Sequence, residues 1–326
     1  MSQQRLGFRA LRVGDGTDGR WAAEGEAALR QAESFLADEA RTPEGAARAR
    51  RLFEEHMPEL VPVLDRLAAQ LPDPALAATA LTHVGTRPFY AACTATGVAG
   101  VLLRNYDFPP DECDRAIVSS TFLRPVIGMN DSGWGLLDGM NDAGLAACLT
   151  FGGRFVHGYG FTILMGLRYV LETCDTVEQA VAVFERLPIS LAQNVVLVDR
   201  EQSVTLYLGP DLDAPIRAGE PTLSCATNHQ HLPVPERQER ESRTQERLAT
   251  VRKAAAADDP VATTRAALLR PPLHVDAFDD GYGTLYTAEY HPAVGRVGYH
   301  WPDGSSWSQS FAAFAPGERE VTAGRG

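Results

Sequence analysis

Residues 87–107, RPFYAACTATGVAGVLLRNYD, contain two apolar runs that are separated by a Thr-Gly pair. The runs cover residues 89–95 and 98–104, which is a typical length for short β-strands. A glycine between two such runs supplies the positive φ angle of a tight turn, so Thr96-Gly97 predicts a β-hairpin. We therefore expect an antiparallel pair of strands at the centre of the fold.

Cys93 is the candidate nucleophile of this segment, since the predicted hairpin folds Arg104 and Asp107 back towards it. A free thiol is mostly protonated at neutral pH, and a neighbouring cation such as Arg104 favours the thiolate that attacks a carbonyl. From these residues alone a plainer interpretation stays open. A cysteine in an apolar strand is commonly a small buried hydrophobe, and Arg-Asn-x-Asp is also typical of a solvated turn.

The composition changes near residue 85, where helical patterns give way to short strands. Residues 20–83 are rich in Ala, Glu, Arg and Leu and contain two Thr/Asp-Pro helix starts, which predicts three or four helices. Downstream, short apolar runs alternate with Gly, Pro, Asn and Asp, as in an antiparallel meander. The predicted strands are 116–121, 125–129, 135–140, 145–151, 194–199, 203–208 and 223–227, with helices at about 160–174 and 177–187. This order suits two sheets covered by helices.

Four motifs resemble, in order and spacing, those of the acyl-coenzyme A:6-aminopenicillanic acid acyltransferase family. More distantly they are similar to the choloylglycine hydrolases, and both families are N-terminal-nucleophile hydrolases. The resemblance covers about residues 85–300, and the joint occurrence of the motifs is far more specific than any one of them. They are Cys93-Thr94, Arg104-Asn105-Tyr106-Asp107, the run 138–145 with Leu149-Thr150-Phe151-Gly152-Gly153, and Ala226-Thr227-Asn228-His229.

This resemblance implies an α+β fold, a four-layer αββα sandwich with a helical N-terminal extension. It implies self-cleavage at the Ala92–Cys93 bond, between a helical N-terminal segment or propiece, residues 1–92, and an αββα catalytic domain, residues 93–326. The implied activity is that of a cysteine N-terminal-nucleophile amidohydrolase or acyltransferase, which acts on linear amide or thioester bonds through an acyl-Cys93 intermediate. The penicillin-forming member of the family has glycine where this chain has Ala92, so whether the bond is cut stays open.

The resemblance also implies roles for individual residues. The freed α-amino group of Cys93 acts as general base, since its reference pKa is about 7.7 to 8.0. Asp107 accepts a hydrogen bond from that amino group, and Arg104 stabilises the thiolate. Asn228 donates to the oxyanion from its side-chain amide, while Thr150 is the candidate for a second donor, through its hydroxyl or a backbone N–H.

Two sets of residues complete the predicted site. A further arginine of the family corresponds to Arg243 or Arg247, and the choice between them stays open. Aromatic side chains near the motifs are candidates for the lining of an apolar acyl pocket, although for each ring taken individually the core is the expected place. They are Phe89, Tyr90, Tyr106, Phe108, Trp134 and Phe151.

Composition restricts the partners. The formal net charge of −12 argues against nucleic acid and against an anionic membrane surface. The sequence predicts neither a membrane span nor a signal peptide, and the five cysteines and eight histidines lack metal-site spacing, so we expect no metal and no cofactor. The expected partner is a small-molecule amide or acyl thioester in a reducing cytoplasm. Retention of the N-terminal segment and assembly into a homo-oligomer stay open.

Two other functions are compatible with the sequence. One is an uncleaved, papain-type cysteine hydrolase in which His229 is the base. The other is a catalytically silent protein that binds a small ligand on the same scaffold. A chain that begins at Cys93 would favour self-cleavage over the first alternative, and loss of turnover in Cys93→Ala would exclude the second.

Overall fold

The protein folds around two β-sheets, which we describe from a computed structural model that covers residues 4–88, 90 and 92–324. The strands are β1 Arg5–Gly14, β2 Ala92–Val98, β3 Val101–Phe108, β4 Ala116–Ser120, β5 Val126–Asp131, β6 Gly135–Asn141, β7 Ala146–Phe151, β8 Gln193–Val198, β9 Ser203–Leu208, β10 Ile216–Ala218, β11 Leu223–Ala226, β12 Asp276–Ala277, β13 Tyr282–His291, β14 Arg296–His300, β15 Ser306–Ser310 and β16 Gly317–Thr322. The helices are α1 Arg20–Phe35, α2 Pro43–His56, α3 Val61–Ala68, α4 Pro74–Ala80, α5 Ile163–Thr173, α6 Val177–Phe184, α7 Glu236–Ser242, α8 Thr244–Ala255 and α9 Pro260–Leu268.

The two sheets pack face to face and carry helices on their outer faces. In the described residues the larger sheet has nine strands in the order β10-β9-β8-β7-β6-β5-β4-β1-β16. The smaller has seven, in the order β11-β2-β3-β13-β14-β15 with β12 on β13. Helices α5 and α6 pack on the larger sheet, and α8 and α9 pack on the smaller one. The four layers are therefore αββα, as the family resemblance implied.

The central hairpin consists of β2 and β3, and it pairs Cys93 with Tyr106. Its existence was predicted correctly, but the predicted turn at Thr96-Gly97 is wrong. The turn lies at Ala99-Gly100, whose φ angles of 51° and 70° are both left-handed. Gly97 lies within β2 instead. A larger residue is excluded there, because its Cβ would lie 2.6 Å from Val198 Cγ2 of the facing sheet. Close approach of the two sheets, rather than a turn, explains this glycine.

The helices before the hairpin pack against the larger sheet through an apolar face. Two of them start as predicted, since the Thr42 hydroxyl accepts from the Gly45 N–H at 3.1 Å and Asp73 caps α4 in the same way. The buried Phe53 ring of α2 stacks on Trp134 with a centroid distance of 6.3 Å. The N-terminal helices are thus part of the folded core.

The N-terminal segment also contributes a strand that the sequence analysis did not assign. Strand β1 lies within the larger sheet, parallel to β4 and antiparallel to β16. Leu6, Phe8 and Ala10 are buried while their neighbours are more exposed, which is the alternation of a strand with one covered face. The division of the chain at residue 92 stays a prediction.

Truncation of Phe8 tests how firmly β1 is anchored. Its fully buried ring lies 6.2 Å from the Tyr286 ring and 5.2 Å from the Trp301 ring, both of the smaller sheet. We expect Phe8→Ala to lower the free energy of unfolding by about 3 to 5 kcal/mol, because it leaves a cavity between the sheets. Urea denaturation measures this loss. Phe155→Ala, which truncates a 72% exposed ring, is the control and should change stability by less than about 0.5 kcal/mol. Equal effects of the two variants would contradict the role of β1.

Candidate active site

Cys93 is the second residue of β2, and its side chain is completely buried between the two sheets. Its Sγ accepts a hydrogen bond from Arg104 Nη2 at 3.0 Å. Burial raises the pKa of the Cys93 thiol to about 11, although Arg104 opposes the shift; Asp107 adds to it and Arg247 opposes it. The sequence analysis expected Arg104 to stabilise a thiolate. In the intact chain burial outweighs the guanidinium, so the thiol is protonated at neutral pH.

Arg104 is held in place by a carboxylate of the opposite sheet. Its Nη1 donates to Asp138 Oδ2 at 2.8 Å and to the Leu137 carbonyl at 2.8 Å. Asp138 also accepts from the hydroxyl groups of Tyr286, at 2.5 Å, and of Tyr290. Asp138 lies in the third motif quoted above, but its role was missed because only the folded chain brings it to Arg104.

The backbone of Cys93 is held by two further side chains. Its N–H donates to Asn228 Oδ1 at 3.2 Å, and its carbonyl accepts from Arg247 Nη2. Arg247, on α8, also donates to Asn228 Oδ1 and Thr94 Oγ1, each at 3.0 Å from Nη2. Arg243 instead forms an exposed ion pair with a neighbouring glutamate of α8. The structure therefore places Arg247, and not Arg243, beside Cys93.

Asp107 lies next to the bond that precedes Cys93, since it pairs with Ala92 in the β2–β3 ladder. Its Oδ1 accepts from the Thr284 hydroxyl at 2.6 Å, and its Oδ2 lies 3.8 Å from Arg247 Nη2. Burial raises the pKa of Asp107, while Arg247 and the Thr284 hydrogen bond oppose the shift. A buried carboxylate at this position is suited to accept a proton or a hydrogen bond from the Cys93 nitrogen.

Thr150 supports the loop that carries Asn228. Its hydroxyl donates to the Thr227 carbonyl at 2.8 Å and accepts from Asn194 Nδ2 at 3.0 Å. Asn194 Nδ2 also lies 2.9 Å from the same carbonyl. The expectation that the Thr150 hydroxyl donates to an oxyanion is corrected here, because its one hydrogen is already engaged in positioning the loop. The alternative, a backbone N–H as the second donor, stays a prediction.

His229 does not form a dyad with Cys93 in this structure. Its Nδ1 lies 2.9 Å from Thr244 Oγ1, and burial lowers its pKa. The same Thr244 hydroxyl accepts from the Asn228 backbone N–H at 2.7 Å. Among the contacts described for Cys93 Sγ, the hydrogen bond is to Arg104. The geometry thus links His229 to the support of Asn228 rather than to the thiol.

A groove of about 740 Å³ leads to this site. Ala92, Asn228 and Tyr282 line it, and so does Phe151, whose backbone carbonyl accepts from Asn228 Nδ2 at 3.2 Å. The groove therefore reaches the residue before Cys93, although the thiol itself is covered.

The predicted aromatic lining is found only in part in this groove. Tyr106 and Phe108 pack on each other in the core, with ring centroids 5.5 Å apart. Trp134 is fully buried and donates from Nε1 to the Leu81 carbonyl at 2.7 Å. These three rings are core residues rather than groove residues, which corrects the prediction for them. Phe151 lines the groove, and Phe89 lies outside the described residues.

Most of the chain matches a known protein family. The family model of the acyl-coenzyme A:6-aminopenicillanic acid acyl-transferases matches residues 94–305. The chain belongs to this family. The match confirms the family resemblance; it contains three of the four motifs in full and begins one residue after Cys93 of the first. No curated protein sequence matches the chain significantly.

Solved structures similar to this acyl-transferase family member include three enzymes. The penicillin V acylase from Agrobacterium tumefaciens is 14% identical, with a TM-score of 0.44 over 71% of this chain and 91% of the other. A Caenorhabditis elegans N-acylethanolamine-hydrolyzing acid amidase ortholog is 14% identical, with a TM-score of 0.44 over 67% and 98%. A mutant of the conjugated bile acid hydrolase from Clostridium perfringens is 10% identical, with a TM-score of 0.39 over 72% and 98%.

Three observations on the described residues accompany the family assignment. In residues 4–88, 90 and 92–324, no group of three or more His, Cys, Asp or Glu side chains is arranged to hold a metal ion. No helix in the same residues has the length and apolar character needed to cross a membrane. All five cysteines of this acyl-transferase family member are buried free thiols.

The raised pKa of Cys93 predicts that its thiol reacts slowly with alkylating agents in the intact chain. With a pKa of about 11, roughly one thiol in a thousand is ionised at pH 8, whereas an unfolded cysteine ionises near its ordinary value. We expect alkylation of intact chain by iodoacetamide at Cys93 to be slow at pH 8 and to accelerate towards pH 11. Peptide mapping by mass spectrometry gives the rate, and urea-unfolded protein is the control. Alkylation at pH 8 as fast as in urea would contradict this picture.

Proposed function

We propose that this protein is a cysteine N-terminal-nucleophile amidohydrolase or acyltransferase, which acts on linear non-peptide amide or thioester bonds through an acyl-Cys93 intermediate. The observation that carries the proposal is that three groups of Cys93 are each held by a different side chain. Arg104 binds Sγ, Asn228 Oδ1 binds the backbone N–H, and Arg247 binds the carbonyl. The backbone groups of any buried residue need partners, but a cysteine that only filled the core would need no guanidinium on its sulfur.

The contacts support self-cleavage as the first reaction. In the proposed step Cys93 Sγ attacks the Ala92 carbonyl carbon, the C–N bond breaks, and the thiol proton passes to the Cys93 nitrogen. Water then hydrolyses the thioester and leaves a carboxylate on Ala92 and a free thiol on Cys93. Asn228 Oδ1, which lies 3.2 Å from that nitrogen, is placed to retain the new amine, and Asp107 lies beside it in the ladder.

The freed amine then serves as the base for turnover. It takes the proton of the Cys93 thiol, Sγ attacks the substrate carbonyl, and the leaving amine or thiol takes the proton as the acyl-enzyme forms. Asn228 Nδ2 carries two hydrogens, and in the described contacts one of them goes to the Phe151 carbonyl. The other hydrogen stabilises the oxyanion. Water completes hydrolysis, and an acceptor amine completes acyl transfer from the same intermediate.

The N-terminal segment is part of the proposal. We infer a propiece of residues 1–92 that stays bound to the catalytic domain of residues 93–326 after cleavage. Strand β1 supports this, because it hydrogen-bonds to two strands of the larger sheet, β4 and β16. The five free thiols support a reducing cytoplasm as the location.

Self-cleavage is tested by the mass and N-terminal sequence of the purified protein. We expect a fragment that begins at Cys93, and a single uncut chain for Cys93→Ala, because the thiol is the attacking group. Cys225→Ala removes another buried thiol, on the neighbouring strand β11, and should still be cut. Full amide turnover by wild-type protein that is wholly uncut would defeat the proposal.

Asn228→Asp tests the oxyanion role without removing the contacts to Cys93 and Arg247. The aspartate keeps an acceptor oxygen but loses the Nδ2 donor. We expect kcat per processed chain to fall by about 100- to 1,000-fold with little change in KM, because the lost donor acts mainly on the transition state. Steady-state kinetics with a chromogenic amide measures this. A change confined to KM would show that Asn228 only binds substrate.

A further inference from the structure

The groove contains a cluster of three aromatic rings that lie on both sides of the proposed cut. The Tyr90 ring, on its N-terminal side, has its centroid 5.1 Å from that of Phe151 and 4.7 Å from that of Phe155. The Phe151 and Phe155 centroids are 5.4 Å apart. Each ring thus contacts the other two at distances typical of favourable aromatic pairs.

Two rings of this aromatic cluster are open to the groove, and the third, Phe151, is 6% exposed. Phe155 is 72% exposed and Tyr90 is 39% exposed. The facing wall is also apolar and includes Leu232, which is 50% exposed, with Pro233 and Val234. Large exposed apolar side chains that line one groove indicate a ligand-binding surface.

The charged side chains of the groove do not favour an ionised acyl group. Arg154 forms an ion pair with Asp211 and donates to Gln230 at 2.7 Å. Arg237 forms an ion pair with Glu241, at 2.8 Å between Nε and Oε1. Each guanidinium group in the described lining thus has a carboxylate partner, and Arg154 Nη2, which has no hydrogen-bond partner among the described residues, can donate to a neutral acceptor. This suits an uncharged ligand.

Tyr90 lies on the acyl side of the bond that is cut in the proposed function. Self-cleavage and substrate turnover form a thioester on the same sulfur, so the acyl side of both reactions occupies the same side of Cys93. In self-cleavage this acyl side is Ala92 and the residues before it. The Tyr90 ring therefore occupies the region into which a substrate's acyl group extends.

We propose that the natural substrate carries a long, uncharged acyl group that ends in an aromatic ring, which takes the place of Tyr90 against Phe151 and Phe155. The inference rests on the proposed function. Tyr90 stands two residues before Ala92, whose carbonyl is scissile, and two residues of chain span at most about 7 Å. Short aryl-acyl groups such as phenylacetyl are too short to place a ring there. Once the bond is cut, residues 90 and 92 belong to a free chain end, which vacates the place of the ring.

The test is a series of p-nitroanilides on the processed protein. One set carries ω-phenylalkanoyl groups from phenylacetyl to phenyloctanoyl, and the other carries straight alkanoyl groups of equal carbon number. In the aryl set we expect kcat/KM to be highest where the alkyl linker between carbonyl and ring spans about 7 Å. At that length kcat/KM of the aryl substrate should exceed that of the alkyl substrate of equal carbon number by about five- to tenfold. Phe155→Leu should abolish this aryl preference, because it removes one of the two rings that receive the substrate's ring. Tyr159→Leu, which changes an exposed ring outside the groove, should retain the preference.

The outcomes separate the two proposals. Absence of turnover for every amide and for the matching thioesters would overturn the proposed function, and the acyl-group inference with it. Turnover with a preference for phenylacetyl, or with equal rates for aryl and alkyl groups, would overturn the inference alone. An aryl preference that Phe155→Leu leaves intact would likewise show that the ring binds elsewhere.

Discussion

The buried ion pair between Arg104 and Asp138 joins the two sheets at the site, and the position of the thiol depends on it. Arg104 lies on β3 of the smaller sheet and Asp138 on β6 of the larger one, and both are fully buried. Removing one member of such a pair costs about 3 to 5 kcal/mol, because the other charge is left uncompensated. Hydroxyl groups of Tyr286 and Tyr290 complete the carboxylate's hydrogen bonds. The guanidinium is thereby fixed, and its Nη2 donates a hydrogen bond to the sulfur of Cys93.

The same burial explains why the thiol is unreactive in the intact chain. Taking Cys93 out of water favours its neutral form, and the neighbouring Asp107 acts in the same direction, so two arginines do not offset the rise in pKa. The described contacts of the sulfur therefore fix its position, but they do not include a general base that takes the thiol proton. Within the proposed function the cut supplies that base, since it frees the α-amino group of the same residue, whose ordinary pKa lies near neutral pH. The geometry and the proposed chemistry are therefore consistent.

Sequence patterns predicted the layers and most of the strands because apolar runs and turn residues are local signals. They misplaced the turn near Gly97, since both faces of β2 are buried and no polar alternation marks its end. The partners of the site were harder to predict. Asp138 meets Arg104 across 34 residues, and Arg247 meets Cys93 across 154. Contacts of such separation are decided by sheet packing, so the motif that contains Asp138 was recognised while its partner was not.

The location of β1 determines what a cut at residue 92 changes. Strand β1 pairs with β4 on one side and β16 on the other, so its departure would leave two strand edges of the larger sheet without partners. Phe8 on this strand also reaches the rings of the smaller sheet. Within the proposed function, the cut therefore frees only the end of the segment that lies against the groove, while β1 stays bound to the sheet. The proposed opening of the site is then a local withdrawal around Tyr90 and Ala92, which leaves intact the fold that positions Arg104 and Asp138.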